Sequence, residues 1–131
     1  MSHRNSVSED FIWQEDLYDP RVSEVVRLLN KQPQLRATQL ARAVGLSTSR
    51  LHHLFKEQMG SSIGAYAKTI QLNLAADLLI ETHLSLKEIR NEVGISDSAN
   101  FLRYFKKSFG MSPSGYRRLK RAAGFTYKKQ E

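Results

Sequence analysis

From Arg21 onward the apolar residues recur at three- and four-residue spacing, and no stretch alternates convincingly like a strand. That period predicts helices, and glycine, proline and serine divide them into about seven. Val22, Val25, Val26 and Leu29 make one apolar face over Val22–Lys31, which stops before Pro33. Thr38 is placed to cap a short second helix ending near Gly45. A third starts at Ser47 or Thr48, runs to about Gln58 and is closed by Gly60. A long fourth is expected from about Ser62 to Glu81. Ser85 caps Leu86–Val93, with Glu88 at the capping-box position and Gly94 as the stop. The sixth starts at Ser96 or Asp97 and ends at Phe109, before Gly110. Ser112, followed by Pro113, opens the last. The expected fold is therefore all-α.

The helical segments repeat. LARAVGLSTS (Leu40–Ser49) matches IRNEVGISDS (Ile89–Ser98) at an offset of 49. FKEQMGSSIGAY (Phe55–Tyr66) matches FKKSFGMSPSGY (Phe105–Tyr116) at an offset of 50, so the second copy holds one extra residue, expected inside its second helix region. Each copy reads helix, tight turn at Gly45 or Gly94, helix, then glycine and a new helix: a helix-turn-helix. The expected layout is an acidic arm over 1–20, a first helix-turn-helix subdomain over 21–61 and a linker helix over 62–82. A second subdomain follows over 83–123, then a basic tail over 124–131. The linker, about 19 residues at ~1.5 Å rise, spans ~28 Å. That is near the ~34 Å between reading heads one DNA turn apart.

The second helix of each copy has two faces. Leu51, Leu54, Phe55 and Met59 form an apolar stripe in the first, and Phe101, Tyr104, Phe105 and Phe109 (or Ser108) in the second. Such stripes are core. The opposite faces show Thr48, Ser49, His52, His53 and Lys56, and Ser98, Ala99, Leu102, Arg103, Lys106 and Lys107. Both lead with small residues, which let a helix N-terminus enter a major groove, and end in cations. An arginine there can bond guanine O6 and N7 together, and the lysines suit phosphates.

Charge sharpens this picture. Residues 1–20 carry one Arg against Glu9, Asp10, Glu15, Asp16 and Asp19. The rest of the chain holds 19 Lys and Arg against 8 Asp and Glu, the footprint expected of a polyanion partner. Arg117, Arg118, Lys120 and Arg121 are expected to contact phosphate as well. The arm mixes its acids with Phe11, Ile12, Trp13, Leu17 and Tyr18 up to a break at Asp19-Pro20. Trp13 is read as a staple onto the core.

Other chemistries find no support. The chain has no cysteine, which removes disulfides and thiolate sites and suits a reducing cytoplasm. His52 and His53 point ~100° apart on a helix and have no His, Asp or Cys one turn away, so no metal is expected. The serines belong to no nucleophile motif, so no enzyme and no cofactor is expected. No apolar run approaches ~18 residues, and no secretory leader is visible, so no membrane partner is expected.

The chain resembles the AraC/XylS family of bacterial transcription regulators over roughly Val22–Leu119. The densest match is SLKEIRNEVGISDSANFLRYFKKSFGMSPSGYRR (Ser85–Arg118). The resemblance implies two helix-turn-helix subdomains on a linker helix, with the helices after Ser47 and Ser96 as reading heads. It implies base-edge contacts from Ser49 and His53 in the first head and from Ser98, Ala99 and Arg103 in the second. Thr48, Arg50, His52 and Asn100 would flank them, with Lys56, Lys106 and Lys107 towards phosphates. The chain departs from the family pattern with Gln71 where Arg is common and Arg90 where Ala is usual. His53 stands where some members carry Arg, so the second head is expected to dominate specificity. Most members carry a separate effector-binding domain, so this chain is expected to be either the standalone type or the DNA-binding part of a longer protein, and to bind no small-molecule effector.

The reading is a transcription regulator that binds double-stranded DNA as a monomer in the cytoplasm, associated with the nucleoid. Its site is an asymmetric bipartite one, because Thr48-Ser49-Arg50 differs from Asp97-Ser98-Ala99. RNA polymerase is a candidate partner. The alternative is a helical protein-interaction module with only non-specific DNA binding, the arm serving as its partner surface.

Overall fold

The computed structural model describes residues 18–124. The expected arm's Phe11, Ile12, Trp13 and Leu17 and the basic tail beyond Gly124 lie outside the described residues. Among those described there are seven helices and no strand. They are α1 (Pro20–Lys31), α2 (Ala37–Val44), α3 (Thr48–Met59), α4 (Ile63–Glu81), α5 (Leu86–Val93), α6 (Ser98–Phe109) and α7 (Pro113–Ala122). They form two compact units, divided between Tyr66 and Ala67 within α4.

Two helix starts differ from the expected ones. α1 begins at Pro20, not Val22: Asp19 caps it, its carboxylate accepting from the Arg21 amide at 2.8 Å. Asp19-Pro20 is thus a helix start rather than a break, since proline at the first helical position forfeits no intrahelical bond. α2 begins at Ala37, which puts Thr38 inside the helix. The Gln39 side chain supplies the cap contact instead, its Oε1 accepting from the Arg36 amide at 2.8 Å. The other caps are as expected: Ser47 for α3, Ser85 with Glu88 for α5, Asp97 for α6 and Ser112 for α7.

In the first unit α1, α2 and α3 pack on one another. Val22, Val25, Leu29, Leu40, Leu51 and Phe55 are fully buried there. The Asp19 amide donates to Gln58 Oε1 at 2.8 Å, tying the start of α1 to the end of α3. In the second unit α6 packs against α5 and α7. Its core joins Leu72, Ala75, Ala76 and Leu79 of α4 to Ile89, Val93, Phe101 and Phe105. Each such leucine or phenylalanine contributes about 1.5–3 kcal/mol by leaving water.

The repeat is visible in side-chain geometry. Phe55 meets Tyr66 edge-on at 5.7 Å between ring centroids, and Phe105 meets Tyr116 the same way at 5.4 Å. Ser62 Oγ accepts from the Ala65 amide at 3.1 Å, and Ser112 Oγ from the Gly115 amide at 3.1 Å. These pairs all stand 50 residues apart, as do the caps Ser47 and Asp97. The preceding glycines, Gly45 and Gly94, stand 49 apart. The extra residue therefore lies in the turn, not inside the second helix as expected. Both α3 and α6 are 12 residues long, and the turn grows from Gly45–Ser47 to Gly94–Asp97. In register, Thr48 matches Ser98 and Ser49 matches Ala99.

Candidate nucleic-acid interface

Each turn is built by a glycine and a capping side chain. Gly45 has φ 75° and Gly94 φ 84°, the left-handed region that only glycine enters cheaply. Ser47 Oγ then accepts from the Arg50 amide at 3.1 Å, and Asp97 Oδ1 from the Asn100 amide at 2.9 Å. Each cap satisfies one of the amides that a helix start leaves without an intrahelical acceptor.

Burial of one stripe decides what the other face shows. In α3, Leu51 and Phe55 are buried. At 3.6 residues per turn, Ser49, His53 and Lys56 then project on the opposite side. In α6, Phe101 and Phe105 are buried, which turns Ala99, Arg103 and Lys106 outward. Phe109 is half-buried on the core side and Ser108 is exposed, which settles the end of that stripe. Ser49, Arg50, His52, His53 and Lys56 are exposed, with Thr48 half-buried beside them. Ser98, Ala99, Arg103, Lys106 and Lys107 are exposed, with Asn100 half-buried. The structure brings the first six residues together on α3 and the other six on α6.

Two neighbours of these faces carry signals that the sequence reading did not use. Glu57 joins Ser49, His52, His53 and Lys56 around one open depression, placing an acid at the edge of the first face. Lys68, from α4, stands over the Tyr104 ring. Its spacing from α6 in the chain hides that contact. Tyr104 also has the Arg103 guanidinium 5.1 Å from its centroid. Lys68 and then Arg103, by hydrogen bonding, hold the Tyr104 phenol below its ordinary pKa. Arg103 Nη2 donates to Asn100 Oδ1 at 2.5 Å, so the outward arginine is steadied by the residue one turn before it.

The two departures from the family pattern have partners at the second turn. Gln71, buried on α4, donates from Nε2 to the Val93 carbonyl at 3.0 Å and the Gly94 carbonyl at 3.3 Å. Arg90 Nη1 donates to the Ser96 carbonyl at 2.6 Å, across the lengthened turn. Neutral carbonyls are thus the partners of the side chain at position 71, where arginine is common in the family. The expected phosphate contacts of α7 divide. Arg117 donates to the carbonyls of Leu79 and Thr82 at 3.0 and 3.1 Å, and Arg121 to that of Thr82 at 2.9 Å. Both close the C-terminal end of α4. Arg118 is exposed.

No described helix is long and apolar enough to cross a membrane. Residues 40–119 match the model of a helix-turn-helix domain family. The Msm operon regulatory protein of Streptococcus mutans is 35% identical over 99 residues, 74% of this chain and 36% of that protein. The xylose operon regulatory protein of Escherichia coli is 34% identical over 103 residues, 77% of this chain and 26% of that protein. The chain thus spans about a third or less of the length of these curated relatives. Among solved structures, the C-terminal domain of AraT, a response regulator from Geobacillus stearothermophilus, superposes with a TM-score of 0.71 at 31% identity. That match covers 77% of this chain and 86% of the other. The DNA-binding domain of AdpA, solved in complex with a target DNA, gives 0.72 at 25% identity over 79% of this chain and 95% of the other. An AraC-type regulator from Chromobacterium violaceum gives 0.72 at 29% identity over 80% and 95%. The paired turns, the shared aromatic pairs and these matches agree: the chain belongs to the AraC/XylS family of helix-turn-helix DNA-binding transcription regulators.

Proposed function

We propose that the chain reads an asymmetric bipartite DNA site through α3 and α6, each helix entering a major groove. The observation that carries this is the repeated outward face: Ser49, His53 and Lys56 on α3 answer Ala99, Arg103 and Lys106 on α6. Small residues near each helix start allow close approach to base edges, and the cation two turns on suits the phosphates. Arg103 takes the paired acceptors of a guanine, and Ala99 packs on a neighbouring thymine methyl. Ser98 stands at the base edges beside Ala99, while Thr48, Arg50, His52, Asn100 and Lys107 flank the two faces and hold register on the backbone. Because the faces differ, the two half-sites differ, and one chain suffices for both. The AdpA complex with its target DNA supports a duplex as the partner.

Selection from a random duplex pool tests this. One motif with two unlike halves ~10 base pairs apart is expected, each half lost separately on substituting His53 or Arg103. A palindromic motif points instead to a dimer. No motif at all, with affinity lost alike for every sequence as salt rises, leaves only phosphate contacts and favours the protein-interaction module.

A further inference from the structure

The second unit has a basic cleft away from the outward face of α6. It encloses about 410 Å³ and is lined by Leu86, Ser114, Arg117, Arg118 and Arg121. Among the described residues, no carboxylate lines it. Leu86 is the first residue of α5, and Ser114 is the second of α7. First-turn amides have no intrahelical acceptor, and helix starts favour negative charge. Here two helix starts and three guanidiniums share one cleft.

Two of the guanidiniums are held in place. Arg117 and Arg121 are fixed by the Leu79 and Thr82 carbonyls at the end of α4. Those carbonyls fix position without cancelling charge, and each guanidinium carries five donor hydrogens. Arg118 lies back over the first turn of α7, its Nη2 4.0 Å from where a Cβ on Gly115 would stand. Burial, and then the neighbouring charge of Arg121, lower the Arg117 pKa, which is the opposite of what a paired anion does. The Glu88 carboxylate, the acid at the start of α5, is engaged by the Ser85 amide at 2.8 Å.

We propose that this cleft is a phosphate seat, taking one phosphoryl group through Arg118, Arg117 and the first turns of α5 and α7. Guanidinium forks match the oxygens of a phosphate in pairs. The DNA backbone is one source of that group. In a helix-turn-helix the first helix crosses the backbone while the second lies in the groove, and the seat is at the start of α5, the first helix. A free phosphate is the other source. The backbone source rests on the DNA reading above; the chemistry of the seat does not.

Arg118→Ala is the variant to use, because Arg117 and Arg121 also hold the end of α4. Binding of the whole chain to its selected duplex and to an unrelated duplex would be followed across a salt series. A backbone occupant predicts the same fold-loss of affinity on both duplexes. It also predicts a slope of log K against log salt shallower by about 0.9, with Arg118→Lys keeping the slope. In a second arm, inorganic phosphate is titrated into the DNA-free protein while the amide resonances of Leu86 and Ser114 are followed. Saturable shifts that Arg118→Ala abolishes, with an unchanged slope, identify free phosphate as the occupant. An unchanged slope without such shifts overturns the seat. Failure of base-specific reading would show in the selection, whereas the slope is read on any duplex.

Discussion

The Lys68 ammonium stands 3.5 Å from the centroid of the Tyr104 ring. It joins α4 to the inner edge of α6, next to Arg103. A cation over an aromatic face is attracted by the ring's quadrupole. The same cation favours the phenolate, so Tyr104 ionises below its ordinary value of 10.0. A group with a lowered folded pKa adds stability above its unfolded value and loses it as pH falls through the folded one. The phenolate's contribution is therefore lost as pH falls through the lowered value, below which only the ring contact acts. Lys68→Met should move the Tyr104 absorbance titration to higher pH, using Tyr104→Phe to isolate its signal. An unmoved titration would remove Lys68 as the cause.

Arg103 and His53 occupy matching positions on α6 and α3, and they should not weigh equally. Arg103→Ala is expected to lose about 1–3 kcal/mol of discrimination at a single base pair of the second half-site. His53→Ala should lose less at the first. Competition binding with single-base variants of the selected site measures both. A larger loss from His53→Ala would show that the first head dominates.

Gln71 tests how far the second turn depends on α4. Gln71→Leu leaves the Val93 and Gly94 carbonyls without that donor, at a cost of about 1–3 kcal/mol for a buried polar group. The denaturation midpoint in urea should fall accordingly. A change below about 0.5 kcal/mol would mean that water takes over both carbonyls.

Asp19 couples the first unit to acid. Its side-chain and backbone bonds with Arg21 lower its pKa from 3.8 to about 2. The stabilisation is complete above pH 3.8 and is lost as pH falls through about 2. Asp19→Ala should lower Tm by a few degrees at pH 6, and the gap from the parent should close on approach to pH 2. A gap independent of pH would assign the effect to packing alone.

Much of this architecture could be read from local signals. Ser85 with Glu88, Ser112 before Pro113, and the glycines after α2, α3, α5 and α6 act within four residues, so these caps and ends lie in short motifs. Ten of the twelve candidate residues followed from the period of the buried stripes, whereas Arg50 and Asn100 came from the family resemblance. Long-range partners did not show. Gln71 reaches carbonyls 22 and 23 residues away, and Arg117 reaches one 38 away. A carbonyl belongs to every residue type, so nothing in the sequence marks it as a partner. The extra residue was misplaced for a related reason. Five residues in the first copy and six in the second separate the last match at the old offset from the first at the new one, and only the two caps show that the turn absorbs the extra one.

That longer turn also bears on whether the two heads can be exchanged. Grafting Ala99, Arg103 and Lys106 onto positions 49, 53 and 56 alters side chains only, since both helices run in one register from cap to end. Grafting whole helices with their turns would import a loop sized for Arg90 and Gln71 into a frame that has Ala41 at the place of Arg90. Recognition is thus portable side chain by side chain, whereas the hinge that aims each helix is private to its own half.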